Sequence, residues 1–158
     1  MDRLLLIIGA CGPIGFLPAS GTLAVALVGV PLYWWTHDWP ATESAAFLMA
    51  CTGWALLIHD RMDKVMGTKD SGKIVWDEFV GFQIATAFIG VFTWRIAVTA
   101  FVVERVLDIA KAPPADRIER RWPGAWGVVG DDVIAGLYTR LILQVLLWTT
   151  PSSLGVVT

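Results

Sequence analysis

Long uncharged stretches alternate with short charged ones along this chain. No charged residue occurs from Leu4 to Thr36, and similar runs follow at Ser44–Ile58, Phe79–Trp94 and Val133–Thr158, the last interrupted only by Arg140. A helix needs roughly 20 apolar residues to cross the hydrocarbon layer of a bilayer, and soluble cores rarely require so much apolar length. The pattern predicts a helical integral membrane protein in one domain, 1–158. Within the first run, GPIGFLPASGT is too rich in Gly and Pro for continuous helix. Irregular backbone at membrane depth must be satisfied by protein or a cavity. A re-entrant or cavity-lining loop is therefore expected between a short helix from Leu4 and a second over Thr22–Trp35, kinked at Pro31. Trp34, Trp35 and Trp39 suit the headgroup level.

Thr42–His59 reads as the next helix, with Thr42 as N-cap and Glu43 in the first turn. A charged loop, Asp60–Glu78, leads into an apolar segment, Phe79–Val103, with Gly90 near its middle. A second charged stretch, Glu104–Asp132, is turn-rich around APPADRIERRWPG, and the last helix runs from near Asp132 through Trp148. Charge decides the topology. The first loop carries Arg61, Lys64, Lys69 and Lys73, and the second stretch carries Arg105, Lys111, Arg117, Arg120 and Arg121. Both belong on the cytoplasmic side by the positive-inside tendency. Phe79–Val103 is then expected as two half-helices hinged near Gly90, which brings the acidic runs together, in preference to one span with the loops on opposite faces, which would separate them. The expected fold class is all-α: a small integral membrane helical bundle with broken or re-entrant helices and an acidic active site facing the cytoplasm.

Composition agrees: 56% hydrophobic and 16% charged residues lie outside the usual range of soluble domains. The net charge of −2 and the absence of a basic run speak against nucleic acid as a partner. Cys11 and Cys51 sit in apolar runs and read as small buried hydrophobes. Arg3 with LLLIIGA has a signal-peptide flavour, but Asp2 weakens it and the apolar character continues, so the segment is expected to be retained. His37 and His59 lie at predicted helix ends and read as headgroup-level or capping residues. G-x-S-x-G, Walker A and Cys/His nucleophile arrangements are all missing from the sequence.

The chemistry lies in the acids: Asp70 with Asp77-Glu78, then Asp108, then Asp131-Asp132. Carboxylates beside membrane-grade apolar runs need a partner that offsets their desolvation. Mg²⁺ takes hard oxygen ligands, commonly a few carboxylates plus substrate phosphate. Each run alone has an ordinary reading. Asp77-Glu78 could cap a helix, and Arg105, Asp108 and Lys111, spaced three apart, could form exposed helical salt bridges. Asp131-Asp132 fits capping less well, because adjacent acids repel and favour a cation between them. In the functional reading Arg105 offers a fork and Lys111 a point charge to phosphate oxygens.

Four runs in order carry a resemblance: GFLPASGT (Gly15–Thr22), DSGKIVWDEFVG (Asp70–Gly81), ERVLDIAKAPP (Glu104–Pro114) and GVVGDDVIAG (Gly127–Gly136). Together they resemble the phosphatidylglycerophosphatase A family. Ser20 stands where the family's turn usually has Pro, Ser71 replaces the Pro after Asp70, Ala112 interrupts a Lys-Pro pair, and Leu23-Ala24-Val25 replaces the Gly-Ser or Gly-Thr after the turn. The resemblance implies a multi-pass lipid phosphatase of the bacterial inner membrane, using Mg²⁺ to convert phosphatidylglycerophosphate to phosphatidylglycerol and phosphate. It implies Mg²⁺ ligands at Asp77, Glu78, Asp108, Asp131 and Asp132, with one of these or Asp70 taking the water's proton. Arg105, Lys111 and Thr22 would hold the substrate phosphate. The competing reading is a non-enzymatic, transporter-like membrane protein with an acidic ion site, whose acids should lie in mid-span.

Overall fold

The structure, a computed structural model, describes residues 2–69 and 71–156. Asp70 lies outside the described residues. Among them all regular structure is helical: α1 (Asp2–Gly9), a 3-10 turn (Ile14–Phe16), α2 (Ser20–Ala24), a π turn (Val25–Gly29), α3 (Val30–Thr36), α4 (Ala41–Met66), α5 (Trp76–Thr86), α6 (Trp94–Ala110), α7 (Ala115–Arg121), α8 (Ala125–Thr149) and a final 3-10 turn (Pro151–Leu154).

The Gly/Pro-rich stretch breaks the first run as expected, between Gly9 and Ser20. Beyond it, α2 and α3 form one rod, with αR backbone at Ala24, Val25, Gly29 and Val30. The π turn sits just ahead of Pro31, whose missing N–H cannot continue the α ladder. Two boundaries differ from the sequence expectation. α4 begins after Pro40 with no side-chain cap, so Thr42 is not its N-cap, and it runs on to Met66, ending at Gly67 in the left-handed region (φ 67°). α8 begins at Ala125, so Asp131 and Asp132 lie in its second turn instead of opening it. Gly127 and Gly130 accordingly sit inside a helix, where they admit α7. A Cβ at Gly127 would lie 2.8 Å from the carbonyl oxygens of Glu119 and Trp122.

The apolar segment after Glu78 divides into two helices, as the charge argument required. α5 ends at Thr86, the chain continues irregularly through Gly90 (φ 76°), and α6 returns from Trp94. The interruption exposes backbone carbonyls that α5 no longer satisfies. Arg140 of α8 supplies the donors: Nε donates to Ala87 O at 2.8 Å and Nη2 to Phe88 O at 3.3 Å. Tyr33 closes the other side, its hydroxyl donating to Val91 O at 2.6 Å.

α8 is the central element, packed by α4, α5, α6 and α7. Its contact with α5 is close because glycines meet there: a Cβ at Gly136 would lie 2.3 Å from Gly81 O. Below that crossing, Val25, Tyr33, Phe82, Ile96, Ala97, Ala100 and Leu143 form one buried cluster. Cys51, Ala55, Phe79, Val80 and Val129 form another between α4, α5 and α8. α4 and α8 are long and apolar enough to cross a membrane, and only 17% and 28% of their most apolar stretches are buried. Each presents large apolar side chains outward, Met49 and Leu57 on α4 and Leu141, Val145 and Trp148 on α8.

Candidate active site

The three acidic runs meet at one end of the bundle. Asp77 and Glu78 occupy the first turn of α5, Asp108 the last turns of α6, and Asp131 and Asp132 the second turn of α8. The loop before α5 is pinned: Val75 N donates to Gly9 O at 3.2 Å, Trp76 Nε1 to Ile8 O at 3.0 Å, and Ser20 Oγ to Gly72 O at 2.6 Å. Gly21 admits the Glu78 carboxylate, since a Cβ there would stand 1.8 Å from Oε1. The N-terminal loop thus reaches the site through Gly21. Thr22 follows it on α2, half-buried.

Arg105 stands among the carboxylates. Its Nε and Nη2 donate to Glu104 at 2.7 and 2.8 Å, Nη1 lies 3.3 Å from Asp108 Oδ2 and 3.8 Å from Glu78 Oε1, and Nη2 lies 3.7 Å from Asp132 Oδ1. Asp131 belongs to a second group. The Lys111 ammonium donates to Asp131 and reaches Glu119 of α7 at 3.0 Å. Lys111 does not share the α6 face with Arg105 and Asp108 as its spacing suggested. It caps the helix in the left-handed region (φ 47°) and turns toward α8 and α7. Burial disfavours its charge, but the hydrogen bonds to Asp131 and Glu119 prevail and hold the ammonium above the usual lysine range.

Two residues at the site were not legible in the sequence. Glu104 has no exposed surface and grips Arg105 with both oxygens. Its one sequence signal was an acid next to Arg105 at the end of an apolar run. His59 was expected at a helix end. It lies inside α4 instead, fully buried, with Nε2 3.3 Å from Asp77 Oδ2. His37 does cap, its Nδ1 paired with Trp34 O at 2.7 Å beyond α3.

The donor set suits a hard divalent cation. Carboxylates outnumber the permanent cations Arg105 and Lys111, and Glu78 Oε2 and Asp132 Oδ1 are buried acceptors with no hydrogen-bond donor among the described residues. Among those residues no three Asp, Glu, His or Cys side chains already form a ligand set. The guanidinium of Arg105 supplies the positive charge between them.

These acids fall in the runs that resembled a known family, and wider comparison agrees. The sequence model for phosphatidylglycerophosphatase A matches residues 7–147. The chain belongs to the phosphatidylglycerophosphatase A family. Phosphatidylglycerophosphatase A of Escherichia coli is 32% identical over 126 residues, covering 78% of this chain and 71% of the relative. Its namesake in Haemophilus influenzae is 30% identical over 123 residues, covering 78% and 69%. A Bacteroides thetaiotaomicron protein, described as a candidate phosphatidylinositol-3-phosphatase, is 27% identical over 149 residues, covering 85% and 87%. No solved structure gives a significant match. Membership in the phosphatidylglycerophosphatase A family makes the chain a phosphatase and removes the transporter-like alternative.

Proposed function

We propose that this phosphatase hydrolyses phosphatidylglycerophosphate to phosphatidylglycerol and inorganic phosphate at the cytoplasmic face of a bacterial inner membrane, with Mg²⁺ as cofactor. The observation that carries the reading is the meeting of carboxylates from α5, α6 and α8 around Arg105, at one end of an outwardly apolar bundle. Asp77, Glu78, Asp108 and Asp132 would hold the cation, and Asp131 would join them on giving up its bond to Lys111. When bound, Mg²⁺ would neutralise the phosphomonoester and lower the barrier to attack by water. Water adds in line at the terminal phosphorus, and the P–O bond to the glycerol oxygen breaks. A carboxylate of the cluster, or Asp70, takes the water's proton, and the departing glycerol oxygen takes up a proton to leave as the hydroxyl of phosphatidylglycerol. Arg105, Lys111 and Thr22 would meet the phosphate oxygens, which requires Arg105 to give up part of its contact with the acids.

Helix length supports the bilayer. Trp126 and Trp148, both exposed, lie near opposite ends of α8. At 1.5 Å per residue they are about 33 Å apart, close to the roughly 30 Å hydrocarbon layer. Exposed Trp34, Trp35 and Trp94 suit the boundary near Trp148, and Trp122 joins Trp126 at the acidic end. The basic residues of 61–73 and 105–121 gather at the acidic end, which supports a cytoplasmic orientation.

The test is phosphate release by the purified protein in detergent from phosphatidylglycerophosphate, with and without Mg²⁺, beside Asp77→Asn and Asp132→Asn. Metal-dependent release that falls on the order of 10²-fold or more in both variants is expected. Wild-type release unaffected by chelation, or variants with full activity, contradict the reading. The Bacteroides relative makes phosphatidylinositol 3-phosphate the comparison substrate. A higher kcat/KM on it would move the assignment to another lipid phosphomonoester.

A further inference from the structure

His59 belongs to none of the acidic runs, yet it is the polar residue buried against them from α4. The side chain has no exposed surface, and Ile58 and Met62 beside it on the helix are also buried. An imidazole sealed in an apolar helix requires a polar partner, and within a membrane bundle such a residue is by default functional. Nε2 lies 3.3 Å from Asp77 Oδ2, with the carboxylate only 6% exposed. Asp77 in turn borders Glu78 and Asp132. Two residues ahead of it, Val75 N is tied to Gly9 O.

We propose that His59 is a positioning residue: its Nε2, 3.3 Å from Asp77 Oδ2, pairs with that oxygen and helps to set the orientation in which Asp77 presents its carboxylate to the acidic cluster. The inference rests on the reading of that cluster as a cation site. His59 touches no substrate, since it has no surface that a headgroup could reach. It acts through Asp77. Hydrogen-bonded partners of ligating carboxylates commonly contribute about 10- to 100-fold to metal affinity, and His59 is assigned an effect of that size.

Mn²⁺, a paramagnetic stand-in for Mg²⁺, gives a readout separate from catalysis. Its binding to the detergent-purified full chain is followed by electron paramagnetic resonance, with lipid phosphatase kinetics and melting temperature measured alongside. His59→Phe keeps a ring but removes the donor, and His59→Met does so with a side chain that adapts to the available space. His59→Gln keeps an N–H. The expected result is Mn²⁺ binding about 10- to 100-fold weaker in Phe and Met, with the metal concentration for half-maximal activity raised in proportion. kcat at saturating metal should stay near wild type, and Gln should recover most of the affinity. Wild-type Mn²⁺ affinity in whichever of Phe or Met folds overturns the inference alone, as does a Gln variant as weak as they are. A wild type that releases lipid phosphate yet binds no Mn²⁺ overturns the cation reading with it.

Discussion

At the residue scale the centre of the site is a buried ion pair in which Glu104 depends on Arg105. Glu104 is sealed from solvent and both its oxygens accept from Arg105, whose remaining contacts go to Asp108, Glu78 and Asp132. Removing one member of a buried pair typically costs about 3–5 kcal/mol because a charge is left uncompensated. Here the other carboxylates keep the guanidinium paired, so Glu104→Leu is expected to cost less, about 1–3 kcal/mol. Unfolding in detergent by denaturant checks this. A loss above that range would mean that Asp108, Glu78 and Asp132 contribute little to holding Arg105. Activity should fall as well, because a freed Arg105 can settle on a different acid.

At the element scale, the site exists because three helices approach closely enough to share it. The α5–α8 crossing leaves no room at Gly136, where a methyl would meet the Gly81 carbonyl at 2.3 Å. Backbone cannot move aside as a flexible side chain can, so Gly136→Ala should destabilise by about 1–3 kcal/mol or more. It should also lower activity, since Asp132 lies one turn away and would move with α8. A variant with unchanged melting temperature and unchanged kcat would show that the helices tolerate a wider crossing. Arg140 acts at the other end of α5. Arg140→Met leaves Ala87 O and Phe88 O without their donors, at about 1–3 kcal/mol for each buried acceptor that water cannot reach. Arg140→Lys should recover part of that, having donors but no fork. Equal stability of Met and Lys would mean that those carbonyls are hydrated.

At the scale of the whole molecule, polarity is arranged end to end. Acids and basic side chains gather around the starts of α5 and α7 and the end of α6, while the flanks of α4 and α8 are apolar and exposed. In the proposed orientation the exposed Lys73, just ahead of α5, faces the cytoplasm. A Lys73→Cys variant should then react with a membrane-impermeant thiol reagent in inside-out vesicles and stay unreacted in intact cells. Labelling from outside would invert the orientation. Cys51 is buried and Cys11 half-buried, so wild type provides the background.

The sequence by itself determined the helical class, the break within Phe79–Val103, and the gathering of Asp77, Glu78, Asp108, Asp132 and Arg105 at one end of the bundle. Each has a local cause: apolar runs too long for a soluble core, a glycine-marked interruption, and carboxylates too costly to leave without a shared partner. Only the tertiary structure decided how the charges pair. Lys111 turned to Asp131 and Glu119, Glu104 took both edges of Arg105, and Arg140 capped a broken helix remote from it in the chain. His59 came to Asp77 because α4 packs against α5. These outcomes depend on where separate helices cross, and glycine contacts such as Gly81 with Gly136 set those crossings. Such contacts leave no periodic trace in the sequence, because a small residue marks where something else approaches without saying what.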